Sequence, residues 1–255
     1  MTPIDFETRG SCAVITINRP DARNAISPEV AQGIEDAIDR LEGDDQLRAG
    51  VLAGAPPVFC AGADLKAIGA GHAAQLSTER GGFAGLIRRE RTKPLIAAVD
   101  GPALAGGLEL ALSCDLIVAS EAATFGMPEV RRGLIAGAGA LFRLPSQLPF
   151  NLAMEYVLTG APFDVEVAHR HGLVNRVCPT GDALAVALEL AERIAENAPV
   201  AVRLSRQVMI ETHGLADEQA WVFSDQANEE VMATEDIAEG IRAFVEKRAP
   251  KWSGR

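Results

Sequence analysis

The chain opens with two short runs of apolar and polar residues, Ile4-Asp-Phe-Glu7 and Ala13-Val-Ile-Thr-Ile-Asn18, separated by Arg9-Gly10. Runs rich in β-branched and aromatic residues on either side of a turn residue predict a β-hairpin. The period then changes. After the turn 19-RPDARNAISPEV-30, apolar positions recur at helical spacing to about Leu41, and Ser27-Pro28 supplies an N-cap and a first-turn proline. Gly50-Val-Leu-Ala-Gly54 predicts a buried strand, and 60-CAGADLKAI-68 a turn running into a short helix. The small-residue stretch 69–85 predicts a mobile loop with some helix. A helix through about Arg91 is expected before Pro94, then strands at Leu95–Val99 and Leu116–Ser120. Continuous apolar strands alternating with helices predict a sheet covered on both faces by βαβ crossovers.

After Gly139 the pattern becomes mostly helical. Helices are expected over 141–148, 151–158, 164–169, 182–196 and 200–212, with two more to the end. Leu173-Val-Asn-Arg-Val177 alone reads as a strand there. The expected fold class is α/β, organised as a core domain over 1–195 followed by a C-terminal helical region over 196–255. There is no internal repeat and no low-complexity linker.

Composition narrows the class. With 255 residues, 48% of them hydrophobic, the chain can bury one substantial core. No apolar run approaches the roughly 18–20 residues of a membrane span. Met1-Thr-Pro-Ile-Asp5 lacks the basic-then-apolar pattern of a signal peptide, so a soluble, cytoplasmic protein is expected. A net charge of −11, from 24 Lys and Arg against 35 Asp and Glu, argues against nonspecific nucleic-acid binding. The cysteines Cys12, Cys60, Cys114 and Cys178 form no Cys-x-x-Cys pair and are expected to be small buried thiols. His169 and His171 flank Arg170 at a helix end, where charge complements the helix dipole. His72 and His213 have no partner spacing, so no metal is expected. Trp221, Phe223 and Trp252 are expected to pack.

Three stretches carry candidate chemistry. In 101-GPALAGGLEL-110, Pro102 and two glycines mark a turn into an apolar helix with one carboxylate, Glu109. Such a helix start exposes unpaired backbone N–H groups and a positive dipole end. Taken alone, Glu109 is most economically a first-turn charge complementing that dipole, for about 0.3–1 kcal/mol. In 58-VFCAGADLK-66 a strand end again enters a small-residue turn, and Asp64 opens a helix as an ordinary cap would. Two such turns offering N–H donors could form an oxyanion hole, worth about 2.7–4 kcal/mol per donor. In 124-TFGMPEVRRGLIAGAGA-140, Glu129 follows Pro128 at another helix start, with a glycine-rich turn downstream. Two glutamates at marked turns, each flanked by apolar residues, can hold a water between them and divide acid and base roles.

These stretches, with Cys114-Asp-Leu-Ile-Val118, Asn18-Arg-Pro20, Asn24-Ala25, Leu158-Thr-Gly160, Gly172-Leu-Val-Asn175 and Ala243-Phe-Val-Glu-Lys247, resemble the crotonase (enoyl-CoA hydratase/isomerase) superfamily, in order along essentially the whole chain. The resemblance implies a crotonase fold of repeated ββα units with a helical oligomerisation region, assembled as a homotrimer or a dimer of trimers. It implies a coenzyme A thioester whose carbonyl is held by the N–H groups of Ala63 and Gly106. By motif position, Arg23, Asn24, Ala25, Ala61, Asp64 and Leu65 would contact coenzyme A, and Phe244 and Lys247 would do so from the C-terminal helix, often of a neighbouring subunit. Solvated surface charge is the competing reading of Arg23 and Lys247. Both carboxylate positions of the hydratase pattern are filled, by Glu109 and Glu129, which implies syn addition of water to a 2-enoyl-CoA without a metal or redox cofactor. In that scheme Glu109 activates the water and Glu129 handles the α-carbon proton. Alternatives within the superfamily are a carnitinyl-CoA-type or other hydroxyacyl-CoA dehydratase and an enoyl-CoA isomerase. Met127 stands where many hydratases carry a polar residue. The turn 135-IAGAGALFRLP-145 lacks a common proline and Gly-Gly-Thr, and Phe142-Arg-Leu-Pro145 is similar to carnitinyl-CoA dehydratases. A noncatalytic acyl-CoA-binding homologue would show a lost glutamate or a lysine-rich helix; neither is present.

Overall fold

The structure, a computed structural model, describes residues 2–255. Its main sheet has six strands in the order Ile4–Arg9, Cys12–Ile17, Ala49–Gly54, Leu95–Val99, Leu116–Ser120 and Arg176–Cys178. The first two form the expected hairpin, in register from Ile4↔Ile17 to Arg9↔Cys12. The other four junctions are parallel. Strand alternation divides the sheet's side chains between two cores. Ala13, Ile15, Ile17 and Leu52 face the helix Pro28–Gly43, which contributes Ile34, Ile38 and Leu41. Cys12, Val14, Val51, Ile96, Ala98 and Val118 face the helix Ala183–Ala195, whose Ala187 and Ala191 allow close approach. Burial on both faces is why these strands read as unbroken apolar runs. Ser27 caps the Pro28–Gly43 helix, accepting from the Val30 N–H at 3.4 Å. The C-terminal helices fall close to where the sequence predicts them, at Pro199–Glu211, Asp217–Met232 and Glu235–Glu246.

The structure corrects several expectations. Where a helix through about Arg91 is expected, residues 84–88 form turns and 89–91 have no regular structure. Gly85 has a φ of +68°, and a Cβ there would strike the Ala31 carbonyl, so close approach to the Pro28–Gly43 helix takes the place of helical continuation. Residues 69–85 carry more order than a loop with some helix. They hold a 3-10 turn at Ala73–Leu76 and a ribbon pairing Ser77–Thr78 with Gly82–Phe83. Buried Glu35 ties that ribbon down, accepting from Thr78 Oγ1 at 2.5 Å and the Gly81 N–H at 2.9 Å. The strand expected at 173–177 begins only at Arg176, because Leu173 and Val174 fold back onto the Ala168 carbonyl of the preceding helix. Trp221, expected to pack, is 64% exposed. Trp252 does pack, against Gly240, and donates Nε1 to the Glu196 carbonyl at 2.7 Å.

A second sheet, not signalled by the sequence pattern, joins Ala103–Leu104, Thr124–Gly126 and Phe163–Asp164, with the middle strand parallel to the first. Runs of two or three residues are too short to show a period. The four cysteines are buried free thiols. Among the described residues no helix is long and apolar enough to cross a membrane.

Candidate active site

The site is assembled from four turns, at residues 60–64, 103–107, 128–132 and 138–140. The turn 60–64 lies against the turn 103–107: the Leu104 N–H donates to the Cys60 carbonyl at 3.0 Å, and the Cys60 N–H to the Pro102 carbonyl at 3.3 Å. Gly62 adopts a φ of +90°, and a Cβ on it would lie 3.0 Å from the Gly106 nitrogen. Only glycine serves there. A Cβ on Gly107 would strike the Cys60 carbonyl. Between them Ala105 holds a φ of +52° and ψ of −129°, a strained conformation that costs an alanine about 1–3 kcal/mol. It swings the chain from the Ala103–Leu104 strand into the helix Gly106–Ser113. The Ala63 and Gly106 N–H groups, on the two sides of this crossing, donate to no other group among the described residues.

Glu109 lies one turn into that helix and is 4% exposed. It does lie in the first turn, as expected, but complementing the helix dipole is not all it does. Its Oε1 accepts from the N–H groups of a different turn, Ala138 at 2.7 Å and Ala140 at 3.1 Å. Burial pushes the carboxyl above the ordinary glutamate range and the nearby Glu129 charge adds to this, while the two backbone bonds and Arg143 pull the other way.

Glu129 sits in the 3-10 turn Pro128–Arg132, directly after the strand Thr124–Gly126. That strand pairs Gly126 with Leu104, and the Ala105 N–H donates to the Gly126 carbonyl at 2.8 Å. The turns carrying Glu109 and Glu129 are thereby stitched together. Glu129 Oε2 is buried without a hydrogen-bond partner. Burial raises its carboxyl pKa against the opposing pull of its own backbone and Arg132. An unsatisfied buried acceptor costs about 1–3 kcal/mol, so its retention calls for a use.

The other predicted residues separate into supports and free surface. The Ala61 N–H donates to the Arg23 carbonyl at 3.1 Å and the Ile26 N–H to the Gly62 carbonyl at 2.8 Å, laying residues 23–26, with partly buried Ala25, along the 61–64 turn. Arg23 and Asn24 both hold left-handed φ values of 54° and 55°. Arg23 is exposed, whereas Asn24 is fully buried and holds the loop, donating to the Ala55 and Val58 carbonyls and accepting from the Arg19 N–H. Asp64 is the cap the sequence offered: Oδ1 accepts from Lys66 and Ala67 N–H groups, and Oδ2 pairs with Arg19 at 3.1 Å. Leu65 beside it is 58% exposed. A surface cavity of about 380 Å³ opens next to Asp64, between Arg19, Glu29 and His72. Phe244, 85% exposed, and Lys247 lie on the last helix, away from any hydrogen bond to these turns. Sequence reasoning missed the amides of Ala138 and Ala140 as partners of Glu109, and with them Arg143. The available signal was Gly139 between two alanines, a turn that presents flanking N–H groups together.

The model of the enoyl-CoA hydratase/isomerase family matches residues 7–255. Enoyl-CoA hydratase EchA19 of Mycobacterium tuberculosis is 40% identical, covering 98% of this chain and 96% of its own. A carnitinyl-CoA dehydratase of Proteus mirabilis is 38% identical, covering 99% and 98%. A crystal structure of an enoyl-CoA hydratase from M. tuberculosis superposes over all of both chains with a TM-score of 0.96 at 44% identity. Whole-chain agreement in sequence and in the six-stranded core places this chain in the enoyl-CoA hydratase/isomerase family, as an enzyme with the crotonase fold.

Proposed function

We propose that the enzyme adds water to the double bond of a trans-2-enoyl-CoA. The observation that carries this reading is the pair of unlike carboxylates: Glu109, held by two backbone N–H groups, and Glu129, with a buried oxygen left unpartnered. Donors to Oε1 favour the ionised form, so Glu109 is suited to accept a proton from water. Burial without a donor favours the neutral form, so Glu129 is suited to deliver a proton to the α-carbon. The unpaired N–H groups of Ala63 and Gly106 would hold the thioester oxygen, where negative charge collects as water adds. No metal or redox cofactor enters this scheme, and coenzyme A arrives as part of the substrate. Exposed Arg23 would meet its phosphates, with Ala61, Asp64 and Leu65 along the pantetheine arm, on a loop shaped by Asn24 and Ala25. Phe244 and Lys247 would complete the site from a neighbouring subunit of a trimer or a dimer of trimers.

The similarity to a carnitinyl-CoA dehydratase over nearly the whole chain supports a second reading, removal of water from a hydroxyacyl-CoA. The same two carboxylates would act in reverse. Assaying crotonyl-CoA, a 3-enoyl-CoA and carnitinyl-CoA side by side tests both. Hydration of crotonyl-CoA at hundreds of turnovers per second or less, but well above background, is expected. Activity confined to the 3-enoyl thioester would overturn both readings in favour of an isomerase.

A further inference from the structure

Arg143 is a cation set beside the turn that holds Glu109. It is partly buried on the helix Ala140–Gln147, and it makes no ion pair among the described residues. Its hydrogen-bond partners are carbonyls, with Nη2 donating to Ile87 at 2.8 Å and Nη1 reaching Ala138 at 3.5 Å, and its guanidinium also lies 5.4 Å from the Phe142 ring centroid. Its own N–H donates to the Gly139 carbonyl at 3.0 Å. A Cβ on Gly139, which has a φ of +110°, would lie 2.7 Å from Nη1. The guanidinium is therefore packed on the residue between Ala138 and Ala140, the two whose N–H groups hold Glu109 Oε1.

We propose that Arg143 is a positioning residue for Glu109, clamping the 138–140 turn to the Ile87 carbonyl so that both amides aim at Oε1 and setting a cation without an acid partner of its own beside that turn. A neutral group of the same reach could brace the turn. A guanidinium loses hydration when partly buried, and here it gives up that hydration without a carboxylate in contact. The acid whose charge it feels is Glu109. The titratable groups that act on the pair are Glu129, which opposes ionisation of Glu109 from the neighbouring turn, and Arg91 and Cys114, which act on Arg143. Arg132 faces Glu129. Among these, Arg143 is the cation that draws the Glu109 carboxyl downward, a smaller effect than the burial that raises it and the two backbone bonds that also lower it.

This proposal rests on the reading of Glu109 as the base, and its test has one arm that does not. The enzyme is labelled with carboxyl-13C glutamate, and the Glu109 resonance is assigned by its loss in Glu109→Gln. It is then titrated in the unaltered protein and in Arg143→Gln and Arg143→Lys. In parallel, kcat for crotonyl-CoA hydration is measured against pH. In Arg143→Gln the titration of Glu109 and the acidic limb of kcat both move to higher pH, and kcat on the plateau falls about 10²-fold as the turn loosens. Arg143→Lys keeps the charge but cannot span two carbonyls: the titration stays near that of the unaltered protein while kcat falls. An unchanged Glu109 titration in Arg143→Gln overturns the electrostatic role, and an unchanged kcat in Arg143→Lys overturns the clamp. Should Arg143→Gln not fold, Arg143→Lys still decides, since a titration displaced upward there contradicts the proposal. If the unaltered enzyme hydrates nothing, the function reading fails while the titration still tests what Arg143 does to Glu109.

Discussion

Glu129 Oε2, buried and unpartnered, makes a prediction that separates function from stability. Its folded pKa is raised by burial, so stability falls as pH rises from the ordinary glutamate value, where the unfolded carboxyl ionises, and the loss is complete above the folded value. Glu129→Gln should therefore stabilise the fold at neutral pH, by about 1 kcal/mol, and the gain should vanish below the ordinary glutamate range, where both states are protonated. Urea unfolding at pH 7 and pH 4 reads this directly, while the same variant loses activity. Glu109 also has a raised pKa, and as a base it must be ionised. The acidic limb of kcat is thus expected above the pH at which an ordinary glutamate titrates. A limb at or below that pH would exclude Glu109 as the titrating base. At Gly62, the added methyl of Gly62→Ala would meet a φ of +90° and the Gly106 nitrogen at 3.0 Å. Displacing one donor should lower kcat about 10²-fold with a smaller effect on thioester binding.

Among elements, the link between the core and the C-terminal helices runs through Asp115. It accepts from Arg91 at 2.9 Å and from Arg206, on the helix Pro199–Glu211, at 2.9 Å. Burial alone would raise its pKa, but the Arg91 charge and the bonds from both arginines outweigh this and hold it below the ordinary aspartate range. Asp115→Ala leaves the Arg91 side chain, 3% exposed, without its partner and should cost about 3–5 kcal/mol. Because the folded pKa is depressed, the stability supplied by Asp115 is present above the unfolded value and lost as pH falls through the folded one. Denaturant unfolding of both proteins between pH 3 and pH 7 should show their difference shrinking toward acid. Elements of this size were legible in the sequence where one periodicity ran uninterrupted, as in Pro28–Gly43 or Leu95–Val99. The helix expected before Pro94 was not, because close approach of Gly85 to Ala31 breaks it, a tertiary event with no local signature. The short strands at 103–104, 124–126 and 163–164 were equally invisible, yet they hold the turns of Glu109 and Glu129 together. The glutamates could be read as carboxylates at marked turns. The amides that distinguish Glu109 from Glu129 belong to Ala138 and Ala140, 29 and 31 residues further along the chain, and only folding brings them to its carboxylate.

At the scale of the whole molecule, the helices after Ala195 leave large apolar side chains uncovered: Phe244 at 85%, Met209 at 75%, Val245 at 73% and Trp221 at 64% exposure. Exposed apolar side chains that form a contiguous patch are expected at a face that associates. Sedimentation should find a trimer or a dimer of trimers, and Phe244→Asp should shift the population toward monomer; a stable monomer in the unaltered protein would remove the proposed role of Phe244 and Lys247 in a neighbour's site. The proposed reaction, however, needs the two carboxylates of each chain to act as one unit. It is tested most directly by kcat for crotonyl-CoA hydration in Glu109→Gln, Glu129→Gln and the double variant. Groups that act together are strongly non-additive, so each single variant should lose about 10²–10⁴-fold and the double should lose little more than the worse single. Near-normal turnover in either single variant, or losses that multiply in the double, would contradict the account.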